Sequence, residues 1–203
     1  MCTTGAMLLI ELDNPAMNDA IAFALEDGVC YLKLSGELRH HSAGPLDALI
    51  ERIFARYDCP ISGVVIDLNG ATFMDSTVIG LLAGIARELF SRKLEMPTLF
   101  STQPEINQLL HSLRLDEVFK LVEASIDQPI DAAMLYTLRA SSNAEEQCSA
   151  AAILKAHETL IELNDANRVA FQPVVDLVRQ EVERRGSAWS EAPTGLDPSA
   201  NLR

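Results

Sequence analysis

The chain has 203 residues, 48% of them hydrophobic and 22% charged, with a formal net charge of −13. That length suits one domain with an extension and the composition is that of a globular protein, while so acidic a chain lacks the clustered Lys and Arg that nucleic-acid phosphates or an anionic membrane surface require. No apolar run approaches the roughly 20 residues of a membrane span, no basic region of a signal peptide opens the chain, and the four cysteines (Cys2, Cys30, Cys59, Cys148) follow no CxxC or ligand spacing, so they read as free thiols of a cytoplasmic protein.

Residues 1–18 hold a short apolar piece and the turn signal Asp13-Asn14-Pro15, which predicts an extra edge strand or an arm. Ala20–Leu25 and Val29–Leu34 read as two strands joined at Glu26-Asp27-Gly28, a hairpin connection. Gly36 to Ser42 reads as a polar loop. A helix is expected from about Pro45, a residue favoured at the first helical position, with Leu46, Leu49, Ile50, Ile53 and Phe54 as its apolar stripe and Asp58-Cys59-Pro60 as its stop.

The most informative stretch follows, Gly63 to Arg87. The β-branched run Val64-Val65-Ile66 predicts a buried strand, Asn69-Gly70 a turn, and Ala71–Met74 a second short apolar piece. Asp75-Ser76-Thr77 then opens a helix whose apolar positions fall at 79, 82, 85, 86 and 89. Met96–Phe100 reads as a strand. Thr102-Gln103-Pro104-Glu105 has the form of a capping box before a helix buried through Ile106, Leu109, Leu110 and Leu113. Glu117–Val122 is expected as a further strand and Ile130 to Arg139 as a helix.

Strands alternating with amphipathic helices after an initial hairpin define an α/β fold with a mixed sheet of four to five strands flanked by helices. From Ser141 the pattern is helical only. Ala151, Leu154, His157, Leu160 and Ile161 make one stripe, and Phe171, Val174, Val175, Val178 and Val182 make another, with Asn164-Asp165-Ala166-Asn167 between them. An antiparallel helical hairpin is expected, with Pro173 opposing one straight helix through both stripes. The domain plan is an arm at 1–18, an α/β domain at 19–140, a helical extension at 141–186 and a disordered tail at 187–203.

Three collinear segments resemble the STAS domain of bacterial anti-sigma-factor antagonists. They are Ser35-Gly36-Glu37-Leu38-Arg39-His40-His41, then Val64 to Gly70 with Phe73-Met74-Asp75-Ser76-Thr77 and Gly80-Leu81-Leu82, and finally Pro104 to Val122. The resemblance implies a binding protein, not an enzyme, in a partner-switching pathway. The unphosphorylated form would dock on an anti-sigma serine kinase, the kinase would phosphorylate Ser76, and a PP2C-type phosphatase would restore it. Glu37, Arg39, His40, Asp75, Ser76, Thr77 and Val78 would form the partner surface. Two positions depart from the family pattern: Val78 stands where Gly is usual and Arg39 where an acidic residue is common. The same fold also serves as an accessory subunit of membrane lipid-transport ABC complexes, which is the competing function.

A phosphoryl group on Ser76 adds about −1.5 to −2 charges. At a helix N-terminus that charge meets free N–H groups and the positive end of the macrodipole, so it can alter a docking surface without unfolding the domain. The plain alternative is that Ser76 is a helix N-cap, worth about 1 kcal/mol, or that Asp75 is the cap and Ser76 the first helical residue. His40-His41 lacks further residues at ligand spacing, so no metal is expected, and without GxSxG no Ser-His-Asp hydrolase is expected. Asn69-Gly70 lacks the glycine spacing of a phosphate loop, and no cofactor is expected. His157 reads as a packed or interface histidine. The hairpin could fold back on the domain, form a homodimer through the C-terminal helices, or dock another partner.

Overall fold

A computed structural model describes residues 20–55, 60–126, 136–138 and 149–190. The expected arm, Cys2, Cys59, Cys148 and everything after residue 190 lie outside the described residues.

The expected hairpin forms from β1 (Ala20–Glu26) and β2 (Val29–Leu38), with Asp27 and Gly28 at positive φ in the turn. The chain continues through α1 (His40–Phe54), β3 (Gly63–Met74), α2 (Ser76–Ser91), β4 (Thr98–Phe100), α3 (Pro104–Ser112), a 3₁₀ turn (Leu115–Glu117), β5 (Lys120–Val122), β6 (Tyr136–Leu138), α4 (Ala150–Leu163) and α5 (Asp165–Ser190). The strands make one mixed sheet in the order β5-β4-β3-β2-β1-β6. β2, β3, β4 and β5 are parallel, and β1 is antiparallel to both β2 and β6.

Because β2 to β5 step across the sheet in one direction, right-handed crossovers put α1, α2 and α3 on the same face. The alternation of the strands agrees. Cys30, Leu32 and Leu34 of β2 and Val64, Ile66 and Leu68 of β3 are buried, and they meet Leu46 and Ile50 of α1 and Ile79, Leu82, Ile85 and Leu89 of α2 in one core. Tyr31, Lys33 and Val65, on the opposite face, are only half-buried.

Several expectations are corrected. β2 runs on to Leu38, where a loop was expected, because Ser35–Leu38 pair with Gly70–Met74. Asn69-Gly70 is therefore not a turn. β3 carries two more residues than β2 between the Lys33–Asp67 and Leu38–Met74 pairs, so it bulges at two places and absorbs the dipeptide inside one long strand. Gly70 is needed there because a Cβ would come 2.7 Å from the Ser35 Cβ. α1 begins at His40, and Pro45 lies inside it. The residue before the proline is Gly44, whose missing Cβ relieves the clash that normally ends a helix there.

The capping box does not form. Gln103 is the N-cap of α3 with Pro104 at the first helical position, Ser101 Oγ accepts from the Gln103 N–H (3.2 Å), and the Thr102 N–H is held by Asn69 Oδ1 (2.8 Å). Leu115–Glu117 is a 3₁₀ turn, so β5 starts at Lys120 rather than Glu117. At the end of the expected Ile130–Arg139 helix, Tyr136–Leu138 is instead a sixth strand on the edge of β1, and the rest of that segment lies outside the described residues.

The helical hairpin is present and packs on the outer side of α2. Asn164 separates the two helices and caps the second, its Oδ1 accepting from the Asn167 N–H at 2.8 Å. Pro173 falls within α5, which continues to Ser190, past the point where the composition predicted a tail. The buried face of α4 is Ala152, Ala156, His157, Thr159 and Leu160, whereas Ala151 is exposed. On α5 the apolar residues Val169 and Leu177 remain exposed.

Candidate functional site

The two β3 bulges carry the end of that strand to the same edge as the end of β2. There the Asp75 N–H donates to the Leu38 carbonyl (3.0 Å), which fixes the start of α2 against the start of α1. Asp75, not Ser76, caps α2: its backbone is extended and its Oδ1 accepts from the Val78 N–H at 3.0 Å. Ser76 is consequently the first helical residue.

Beside it, Arg39 donates to Glu37 Oε2 through Nε (3.0 Å) and Nη2 (2.8 Å), and its guanidinium lies 4.4 Å from the centroid of the Phe73 ring. Phe73 is 40% exposed, and the Arg39 guanidinium lies over its ring. His40 is exposed and stacks edge-on with His41, their centroids 5.8 Å apart. The structure thus gathers Glu37, Arg39, His40, Asp75 and Ser76 at one corner. Thr77 and Val78 share the same turn, but at 6% and 0% exposure their side chains are buried. Phe73 completes the corner; its residue type and the apolar Ala71–Met74 piece point to a core residue, but its side chain is exposed at the edge.

The residue that sequence reasoning most undervalued is His157. Its ring, 3% exposed, stands over the start of α2 with Nε2 2.9 Å from Ser76 Oγ. Nδ1 lies 2.8 Å from the Ile153 carbonyl, which can only accept, so Nδ1 carries a proton. In the neutral ring Nε2 is then the acceptor, and the Ser76 hydroxyl donates to it. Phe171 of α5 packs edge-on behind the imidazole at 5.8 Å between centroids.

One turn along, α2 and α4 meet at backbone distance. A Cβ on Gly80 would fall 2.3 Å from the Ala156 carbonyl oxygen, so no other residue fits without moving α4. Around this contact, Arg87 of α2 pairs with Glu162 (3.0 Å), and Lys155 reaches Asp47 (3.6 Å) and Glu51 (3.7 Å) of α1. Burial raises the Asp47 carboxyl above its ordinary pKa; Lys155 opposes that shift and Glu51 adds to it. Asn167, nearly fully buried, donates to the Leu113 carbonyl at the end of α3 (2.9 Å). The hairpin is tied in this way to all three crossover helices, and α2 is enclosed between sheet and hairpin.

The chain is similar to known proteins. Residues 20–133 match the STAS domain family, more than half of the chain, and the chain belongs to that family. A curated relative from Paenibacillus polymyxa, an anti-sigma F factor antagonist, is 25% identical over 111 residues, covering 55% of this chain and 92% of its own. Among solved structures, the anti-sigma factor antagonist SpoIIAA in its unphosphorylated form is similar at 23% identity and a TM-score of 0.43, covering 49% of this chain and 87% of its own. An anti-sigma factor antagonist from Mycobacterium paratuberculosis is similar at 24% identity and a TM-score of 0.42, covering 56% of this chain and 91% of its own. The family match ends at residue 133, so α4 and α5 lie beyond it. No described helix is long and apolar enough to cross a membrane.

Proposed function

We propose that this protein is an anti-sigma-factor antagonist of a cytoplasmic partner-switching pathway. Unphosphorylated, it binds an anti-sigma serine kinase; phosphorylation of Ser76 releases it, and a PP2C-type phosphatase resets it. The observation that carries this reading is the position of Ser76. It is the first residue of a helix whose cap is supplied by its neighbour Asp75, so its hydroxyl is not needed to hold the helix start. A charge added there is compatible with the positive helix end. The same charge, beside Asp75 and the Glu37–Arg39–Phe73 corner, changes what a partner meets.

The curated relative's name, anti-sigma F factor antagonist, points to the same role. Catalysis is no part of this reading. Although Ser76 and His157 are paired as a nucleophile and base would be, the second imidazole nitrogen is bound by a carbonyl rather than a carboxylate, and the ring is 3% exposed. Incubation with the kinase and ATP, followed by intact-mass measurement, tests the proposal. One phosphoryl group should be added to the native chain and none to Ser76→Ala. A kinase that binds the protein yet leaves its mass unchanged would refute the switch.

A further inference from the structure

We infer that the α4–α5 hairpin is a latch for the switch serine, and that its docking on α2 and a charge on Ser76 exclude one another. The inference rests on the reading of Ser76 as a phosphoacceptor. With Nε2 of His157 already at hydrogen-bond distance from Oγ, a phosphorus and three oxygens have no room between them. The imidazole cannot step aside alone. Its Nδ1 is bound to Ile153 of the same helix, Phe171 stands behind it, and the adjacent Ala156 backbone presses on Gly80. With Oγ in the rotamer that faces His157, a phosphoryl group therefore displaces α4, and Phe171 brings α5 with it.

Linkage makes the effect reciprocal: to whatever extent the charge disfavours docking, docking disfavours acquisition of the charge. A docked hairpin engages the half-buried Ser76 hydroxyl through His157, in competition with a kinase, and covers the outer face of α2. It holds that face by close backbone packing at the crossing (Gly80 on Ala156) and by ion pairs at the rim (Arg87–Glu162, Lys155–Asp47). The hairpin thus acts as an internal competitor for the partner face of its own chain.

Hydrogen–deuterium exchange of the full chain tests the latch without any partner. Gly80→Ala, whose new methyl strikes the Ala156 backbone, should detach the hairpin, and Ser76→Glu should do so by charge and bulk. In both, amides of α4 should exchange roughly tenfold faster or more, while those of β2 and β3 stay protected. Should Gly80→Ala unfold the domain, His157→Asp places the disruption on the hairpin instead and should give the same pattern. Native-like or stronger protection of α4 in Ser76→Glu overturns the inference, as does a docked hairpin in both Gly80→Ala and His157→Asp.

With the kinase and ATP added, the detached variant should be phosphorylated faster than the native chain. Equal rates, with exchange showing detachment, would refute the competition while leaving the proposed function standing. Phosphorylation of neither chain, with exchange behaving as expected, would refute the function and leave the latch geometry intact.

Discussion

At the scale of single residues, the site depends on a division of labour between neighbours. Asp75 closes the start of α2 through its 3.0 Å bond to the Val78 N–H, which leaves the Ser76 hydroxyl for other partners. Asp75→Ala should lower stability by about 1 kcal/mol, the ordinary loss for a cap, read from the urea midpoint; a midpoint equal to the native chain's would show that the cap carries nothing. Gly70 makes a second residue-scale case. Gly70→Ala puts a methyl against Ser35 and should cost about 1–3 kcal/mol by overpacking, whereas Gly63→Ala, whose methyl meets nothing within 4 Å, should be close to neutral.

Cys30 supplies the pH-dependent case. Burial in the β2 core pushes its thiol up to about 12 from 9.0. The fold therefore favours the protonated thiol. The stability this brings is complete below about pH 9, where both states hold the proton, and is lost as pH rises from there toward about 12, because the unfolded chain ionises first. Denaturant midpoints measured between pH 8 and 10 should fall more steeply for the native protein than for Cys30→Ala, and Cys30 should resist alkylation at pH 8 until the chain unfolds.

At the scale of elements, legibility followed the strength of a single period. The stripes of α1 and α2 were readable because one face of each helix meets the sheet: Leu46, Leu49, Ile50 and Ile53 are buried as expected, and so are positions 79, 82, 85, 86 and 89. The opposite side of α2, at Gly80 and Ala83, was present in the sequence as small residues where a surface helix would carry charge, so that buried positions run all round its first turns. An all-round apolar helix is a sign of cover on both sides, but the sequence does not say what provides the cover. Hydrogen bonds between distant segments explain the other differences. Asn69-Gly70 has the dipeptide of a turn, yet β2 pairs alongside it and the extra residues of β3 turn into bulges. Thr102 has the residue type of a cap, yet its N–H is claimed by Asn69, 33 positions away in the chain. Tyr136–Leu138 is strand because β1 offers it an edge. Local propensity is overridden by pairing in each of these.

At the scale of the whole molecule, the family domain and the extension are one packed structure. The sheet supports α1, α2 and α3, and the hairpin lies on that helical layer, tied to each helix by Lys155, Arg87's partner Glu162, and Asn167. The Ser76 corner was legible from its motif, and the cap-or-acceptor question was left open by residue types alone. What could not be read was that His157, 81 positions further on, would end within hydrogen-bond distance of the same serine. Its place among apolar neighbours at helical spacing was a hint that it faces inward, with nothing to name its partner. The consequence is that Ser76 belongs to two places at once, the Glu37–Arg39–Phe73 corner and the seat of the hairpin.

The most direct measurement of the central claim is the intact mass of the protein after incubation with the kinase and ATP, for the native chain and for Ser76→Ala. The switch reading predicts a gain of one phosphoryl group in the first and none in the second. No gain in the native chain from a kinase that binds it, or an equal gain in Ser76→Ala, would contradict it.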